Sequence, residues 1–249
     1  MDDTTIIILA GGKAERMGKI CSDLPKCLLK IGDYPFLHWL LSMLFHHEFK
    51  VIISVGHQSK KIIDYCNNNF SFYKKLQLIS ENKPLGTSGA ILNAAKYTNS
   101  RTIFALNADT IVKINFDKVL KYHFKHELPI TMITSKRSVQ NQSKIILDKI
   151  NNVISFQESH EIESLNIKDS IKTSSSGCYC IDKNYILNYF RIVGSLENDV
   201  MPLSVNSGKV KSFGINSKII DFGVPLRYEA ICNNNDLMKR IYGAIKINN

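Results

Sequence analysis

Long hydrophobic runs are missing from this 249-residue chain. The longest, residues 6–10 and 36–45, fall short of the ~18 to 20 apolar residues that a membrane span needs. The opening Met1-Asp2-Asp3-Thr4 is unlike the basic start of a secretory signal. No membrane partner is therefore expected, and the expected location is the cytoplasm. Proline (6) and glycine (13) are too scarce for a collagen-like or low-complexity chain. The six cysteines, Cys21, Cys27, Cys66, Cys178, Cys180 and Cys232, contain no C-x-x-C pair and no regular framework, so reduced thiols are expected. The seven histidines form no H-x-x-x-H metal pair, and His46, His47 and His57 are expected at the surface. The lone tryptophan, Trp39, lies among leucines and reads as core. Acidic side chains are outnumbered, 22 against 32 Lys and Arg, for a net charge of +10. That excess attracts phosphates and nucleotides. The cations are scattered, however, with pairs such as Lys60-Lys61 and Lys74-Lys75 the densest runs, so nucleic acid is not an expected partner.

What is present is an alternation of apolar strands and amphipathic helices. Residues 5–10 form the continuous apolar run of a buried parallel strand. A helix is expected over 35–49, where Leu37, Leu40, Leu41 and Leu44 share one stripe and Pro35 suits the first turn. Strands at 50–55, 76–80 and 101–106 alternate with helices at 59–67 and 88–97, the second with Thr87 or Ser88 available as N-cap. This order implies right-handed βαβ units and a parallel sheet. After a helix at 116–126 the rhythm changes. Strands at 129–135, 144–147, 153–157 and 177–181 extend the sheet with mixed or antiparallel members, and the polar stretch 158–176 reads as a flexible loop. Helices at 183–190, capped by Asp182, and at 196–205, capped by Ser195, precede short strands at 210–214 and 218–221 and a closing helix from 226 to about 245. With 44% apolar residues and no internal repeat or long linker, a single α/β domain is expected.

The chemistry concentrates after the first strand, in Leu9-Ala10-Gly11-Gly12-Lys13-Ala14-Glu15-Arg16-Met17-Gly18 and then Asp23-Leu24-Pro25-Lys26. In open α/β sheets, ligands bind beyond the carboxyl ends of the strands. Paired glycines let backbone N–H groups approach phosphate oxygens, and Arg16 and Lys26 can neutralise charge developing there. The loop is neither G-x-G-x-x-G nor a Walker A, and a glycine pair alone reads equally well as a turn.

The longer pattern, L-A-G-G-x(3)-R-M-G followed by L-P-K and a Pro35-Phe36-Leu37 helix, resembles the sugar-1-phosphate nucleotidyltransferase family. The resemblance runs nearly end to end. Glu81 with Pro84-Leu85-Gly86-Thr87-Ser88-Gly89-Ala90 is similar to its base-reading loop, and Leu106-Asn107-Ala108-Asp109-Thr110 to its metal loop. Ser195-Leu196-Glu197-Asn198-Asp199 with Met201-Pro202 matches a segment flanking the sugar, and Asp221-Phe222-Gly223-Val224-Pro225 with Tyr228 its D-I-G-x-P-x-x-Y element. The last two features and the short length look most like the D-glycero-α-D-manno-heptose 1-phosphate guanylyltransferase branch. Molybdenum-cofactor guanylyltransferases share G-G-K-x-x-R-M-G without matching the C-terminal motifs.

The resemblance implies a Rossmann-like, glycosyltransferase-A-like fold: a mixed, mainly parallel sheet with helices on both faces. Residues 1–135 would form its nucleotide-binding half and 136–249 its sugar-phosphate half. It implies that Leu9, Ala10, Gly11, Gly12, Arg16, Lys26, Glu81, Gly86, Thr87 and Asn107 bind a nucleoside triphosphate. Gly177 and Glu197 would meet a sugar 1-phosphate, Asp109 and Asp221 would hold Mg²⁺, and Arg16, Lys26 and Asp109 would be catalytic. The implied reaction gives NDP-sugar and pyrophosphate for capsule or lipopolysaccharide synthesis, with GTP and a heptose 1-phosphate leading. Other pairs (CTP, UTP or dTTP with a hexose 1-phosphate) and a non-catalytic nucleotide-sugar-binding subunit stand as alternatives, and a homo-oligomer stays open. Three departures lie on the sugar side. Gln142-Ser143-Lys144-Ile145 replaces Tyr-Gly-x-Val, Glu158-Ser159 lacks the lysine of a Glu-Lys pair, and Ser175-Ser176-Gly177 replaces Asn-x-Gly. Lys144 and Lys172 are candidates to replace the missing cation.

Overall fold

Alternating side chains of the first strand, β1 (Thr4–Ala10), enter two different cores, Ile6 and Ile8 on one face and Ile7 on the other. A strand buried on both faces needs cover on both, which explains its unbroken apolar sequence. The computed structural model describes residues 3–137, 144–157, 170–234 and 236–242.

A 3₁₀ segment, Glu15–Cys21, and a 3₁₀ turn, Lys26–Leu28, follow β1. They lead to the small hairpin of β2 (Lys30–Ile31) and β3 (Tyr34–Pro35). Then come α1 (Phe36–His46), β4 (Lys50–Val55), α2 (Ser59–Phe70), β5 (Leu76–Ser80), α3 (Gly86–Ala95) and β6 (Thr102–Asn107). Next are β7 (Thr110–Ile111), α4 (Phe116–His126), β8 (Ile130–Ser135), β9 (Lys144–Leu147), β10 (Val153–Gln157) and β11 (Ile171–Asp182). The chain continues through α5 (Lys183–Tyr189), a π turn at Leu196–Val200 and α6 (Met201–Asn206). It ends in β12 (Val210–Ile215), β13 (Ile220–Asp221), α7 (Pro225–Cys232) and α8 (Leu237–Tyr242).

Among the described residues nine strands form one mixed sheet, ordered β10-β9-β11-β6-β1-β4-β5 with β8 and β12 continuing from β11. The pairs β6–β1, β1–β4 and β4–β5 are parallel, so Asn107, Ala10, Val55 and Ser80 all end at one edge. β11 is antiparallel to β6, β8 and β9, and β12 runs parallel to β8. Helices α1, α2 and α4 pack on one face, and α3, α5 and α6 on the other. Leu37, Leu40, Leu41 and Leu44 are all buried, as their spacing predicts, and Trp39 is buried with its indole N–H donating to the Ile31 carbonyl at 2.9 Å. No helix among the described residues is long and apolar enough to cross a membrane.

Five expectations need correction. Residues 171–176 are not loop but the first half of β11, where Thr173, Ser174, Ser175 and Ser176 are buried. Their hydroxyls are small, and Ser175 and Ser176 satisfy the N–H groups of Gly177 and Cys178 at 3.2 Å, so a polar stretch fits inside a sheet. Residues 158–169 of that expected loop lie outside the described residues, as do Gln142, Ser143, Glu158 and Ser159. The closing helix breaks after Cys232 and resumes at Leu237, and residues 243–249 lie outside the described residues. Asp182 occupies an N-cap position but makes no capping bond; it faces His123 Nε2 at 3.1 Å. Thr87 and Ser88 lie inside α3 rather than capping it, because their hydroxyls bind the segment 191–197 instead. The expected helix over 196–205 starts as a π turn, and Ser195 does cap it, accepting from Asn198 N at 3.1 Å.

Candidate active site

The four parallel strand ends open into a cleft of about 840 Å³. Its walls carry every residue expected to bind a nucleotide: Leu9, Ala10, Gly11, Gly12, Arg16, Lys26, Glu81, Gly86, Thr87 and Asn107. Asp109 also lines it, with Gly223 contributed from the far end of the chain. Residues Leu9 to Asn107 span about a hundred positions, at or beyond the ends of β1, β5 and β6, and the parallel register collects them at one edge.

The glycine loop lies flat against its neighbours. Gly11 accepts from the His57 backbone N–H at 3.1 Å, and a Cβ on Gly56 would sit 2.7 Å from the Gly11 carbonyl oxygen. Two chain segments therefore touch backbone to backbone, leaving a shallow floor. Ala14 follows with φ 53, a left-handed conformation that a non-glycine residue adopts at a cost. It turns the chain into the 3₁₀ segment that puts Arg16, exposed, at the rim. Arg16 Nη2 would lie 3.1 Å from a Cβ on Gly223, so only a glycine there leaves the guanidinium its place.

Lys26 projects from its own 3₁₀ turn to Asp109 Oδ2 at 2.5 Å, with side chains 13% and 30% exposed. Its Nζ also lies 5.5 Å from the centre of the buried Phe222 ring. A buried-side ion pair with an aromatic floor holds a cation in place without a long search through rotamers. Asp221 does not line the cleft but sits next to it. β13 pairs antiparallel with β7, setting Asp221 opposite Thr110, and Phe222 N donates to Asp109 O at 3.2 Å. Asp221 bonds Arg227 and the Gly223 backbone N–H, while Asp109 Oδ1 accepts from Thr110 Oγ1 at 3.2 Å. The carboxylates of Asp109, in the turn before β7, and Asp221, on the strand paired with β7, offer hard oxygen donors of the kind Mg²⁺ takes alongside phosphate and water. The residues therefore fit such an ion.

Glu81 lines the cleft with both oxygens engaged, Oε1 by Ser54 Oγ at 2.9 Å and Oε2 by Leu85 N at 3.2 Å. Thr87 bonds outward from the base loop. Its hydroxyl donates to Glu197 Oε2 at 2.8 Å and accepts from Leu196 N at 2.7 Å. Glu197 thus stands behind Thr87 rather than in the cleft wall. Gly177 is likewise one layer back: at φ +65, a Cβ there would meet Asn107 Nδ2 at 2.5 Å. Ser175, where the family has a carboxamide, is buried and bonds the Gly177 N–H and the Tyr179 hydroxyl. Neither Lys144 nor Lys172 is part of the cleft wall. Sequence reading missed Ser54, Gly56 and Ala14, and treated His57 only as surface, although it is exposed and lines the cleft. The one signal for Ser54 was a hydroxyl inside the apolar run of β4.

Comparison with known proteins agrees with this geometry. A heptose 1-phosphate guanylyltransferase (D-glycero-alpha-D-manno) of Campylobacter jejuni is 28% identical over 232 residues, 92% of this chain and 99% of that protein. Its namesake from Aneurinibacillus thermoaerophilus is 25% identical over 226 residues, 89% and 94% of the two chains. The crystal structure of HddC from Yersinia pseudotuberculosis superposes with a TM-score of 0.78 at 27% identity, covering 92% of this chain and 98% of that one. The same protein complexed with GMP-PN superposes at 0.76. The family model described as nucleotidyl transferase matches residues 5–209. With its glycine loop, cation pair and strand-end carboxylate gathered in one cleft, the chain belongs to the nucleotidyl transferase family.

Proposed function

We propose that this member is a guanylyltransferase that joins GTP to a sugar 1-phosphate, a heptose 1-phosphate first among acceptors, and supplies surface polysaccharide synthesis. The observation that carries the reading is the single cleft that brings Gly11, Gly12, Arg16, Lys26 and Asp109 together at one sheet edge. The guanine and heptose assignments are supported by the names of the Campylobacter and Aneurinibacillus relatives and by the GMP-PN complex of HddC.

In this reading an oxygen of the sugar 1-phosphate attacks the α-phosphorus. A new P–O bond forms, the bond to the β-phosphate oxygen breaks, and pyrophosphate leaves. The backbone of Gly11 and Gly12 and the Arg16 guanidinium hold the β- and γ-phosphates. Lys26, aimed by Asp109, meets the α-phosphate and offsets the charge that builds on it. Asp109 and Asp221 are the residues that would hold Mg²⁺. Bound there, the ion would supply charge neutralisation at the phosphates. Among the described residues no cluster of three or more His, Cys, Asp or Glu forms a cage, so phosphates and water would complete its shell.

Calorimetric titration with GTP, CTP, UTP, dTTP and ATP, paired with pyrophosphate release on a set of sugar 1-phosphates, tests the reading. Tightest binding by GTP and release with a heptose 1-phosphate are expected. Tightest binding by CTP or dTTP overturns the guanine assignment, and nucleotide binding without release for any pair favours the non-catalytic subunit.

A further inference from the structure

Ser54 is the one hydroxyl in the buried run of β4, flanked by Leu9 of β1 and Ile79 of β5 in the parallel register. Its exposure is 0%. A hydroxyl buried among aliphatic side chains is unfavourable unless it is bonded, and Ser54 Oγ is bonded, donating to Glu81 Oε1 at 2.9 Å. That oxygen is also where Gly11 packs, since a Cβ on Gly11 would lie 2.9 Å from it. The other oxygen accepts the Leu85 N–H at 3.2 Å, while Glu81 N donates to Val55 O at 2.8 Å. One carboxylate thus touches three segments: the end of β4, the glycine loop and the base loop.

We propose that Ser54 is a positioning residue for nucleotide binding. Its hydroxyl fixes the Glu81 carboxylate, so that one side chain sets the spacing between the glycine loop and the base loop. Glu81 on this view is an anchor for every nucleotide and not the group that selects guanine. The inference rests on the reading of the cleft as a nucleotide site. The carboxylate accepts from both donors at once; glutamine would keep the Leu85 bond through its oxygen and reverse the Ser54 bond through its N–H, so Glu81→Ala, which removes both acceptors, is the informative variant.

The test is calorimetric titration of the wild-type protein, Ser54→Ala, Glu81→Ala and the double variant with GTP and with ATP, alongside kcat, KM and melting temperature. Ser54→Ala is expected to weaken GTP and ATP by the same factor, about tenfold for a lost bond to a charged acceptor. Its kcat stays within about twofold on the same arithmetic, and KM for the sugar 1-phosphate is unchanged. The double variant is expected to bind no more weakly than Glu81→Ala, because the two side chains act as a unit. Unchanged affinity with a lowered melting temperature would reduce Ser54 to a structural residue and overturn the proposal. So would a loss confined to GTP, or fully multiplicative losses in the double variant. Wild-type protein that binds no nucleotide overturns the reading of the cleft itself, and the proposal with it.

Discussion

Replacing Gly86 by alanine strikes the joint between the base loop and the segment that follows α5. Gly86 has φ +72, and a methyl there would run into the Gly194 carbonyl oxygen. The left-handed backbone costs an alanine about 1–2 kcal/mol. Relieving the overlap also separates the two segments, which are joined by Gly194 N to Leu85 O at 2.8 Å and Ser88 N to Gly194 O at 3.0 Å. At ~0.5–1.5 kcal/mol per bond, the total loss is roughly 2–5 kcal/mol. For a domain of this size each kcal/mol moves the midpoint by ~2–4 °C, so thermal unfolding should begin near 10 °C lower, to within about a factor of two. Gly214→Ala is the control. Nothing lies within 4 Å of its would-be methyl and its φ is not positive, so the chain should gain up to about 1 kcal/mol through reduced freedom of the unfolded state. Differential scanning fluorimetry of both variants, with nucleotide titrations in parallel, provides the assay. A Gly86→Ala midpoint within about 2 °C of wild type, on the same scaling, or an equal fall in Gly214→Ala, would refute the reasoning.

Three further outcomes follow from the site. Arg16→Ala and Lys26→Ala should each lower turnover by at least ~100-fold. The first should leave melting unchanged because Arg16 is exposed, while the second lowers it by unpairing Asp109, both readable in one steady-state and melting series. Asp109→Asn and Asp221→Asn should each remove most of the same catalytic benefit across a Mg²⁺ titration, with the double variant little worse; multiplicative losses or full activity in EDTA would separate the two residues. Burial pushes the Cys66 thiol up to about 12 and raises Cys21, Cys27, Cys178 and Cys180 as well, so these thiols stay protonated and unreactive near pH 7. A disulfide reagent should therefore titrate about one thiol in the native protein, at the part-exposed Cys232, and all six after denaturation.

The first half of the fold was legible because its signals are local. An unbroken Ile run announces a strand buried on both faces, and the Leu37 to Leu44 stripe announces a helix facing one core. The lining of the cleft was legible for the same reason, being spelled in short contiguous motifs at strand ends. What escaped depended on partners remote in sequence. The run Thr173 to Ser176 reads as loop until β8 and β9 supply its pairing and the hydroxyls of Ser175 and Ser176 find backbone donors. Gly56 resembles any glycine after a strand until Gly11 is seen against it. Thr87 looks like a helix cap until Leu196 and Glu197, over a hundred residues away, take both sides of its hydroxyl. Gly177 and Glu197, expected at the sugar, lie behind the cleft residues Asn107 and Thr87, a placement that no short motif announces.

The most direct test of nucleotidyl transfer in this cleft is phosphorus NMR of the wild-type protein with GTP, Mg²⁺ and D-glycero-α-D-manno-heptose 1-phosphate. The triphosphate signals should give way to those of a GDP-sugar and of free pyrophosphate in equal amounts, and neither product should form without the acceptor. Triphosphate left intact with every sugar 1-phosphate supplied, or phosphate released from GTP with no acceptor present, would contradict nucleotidyl transfer in this cleft.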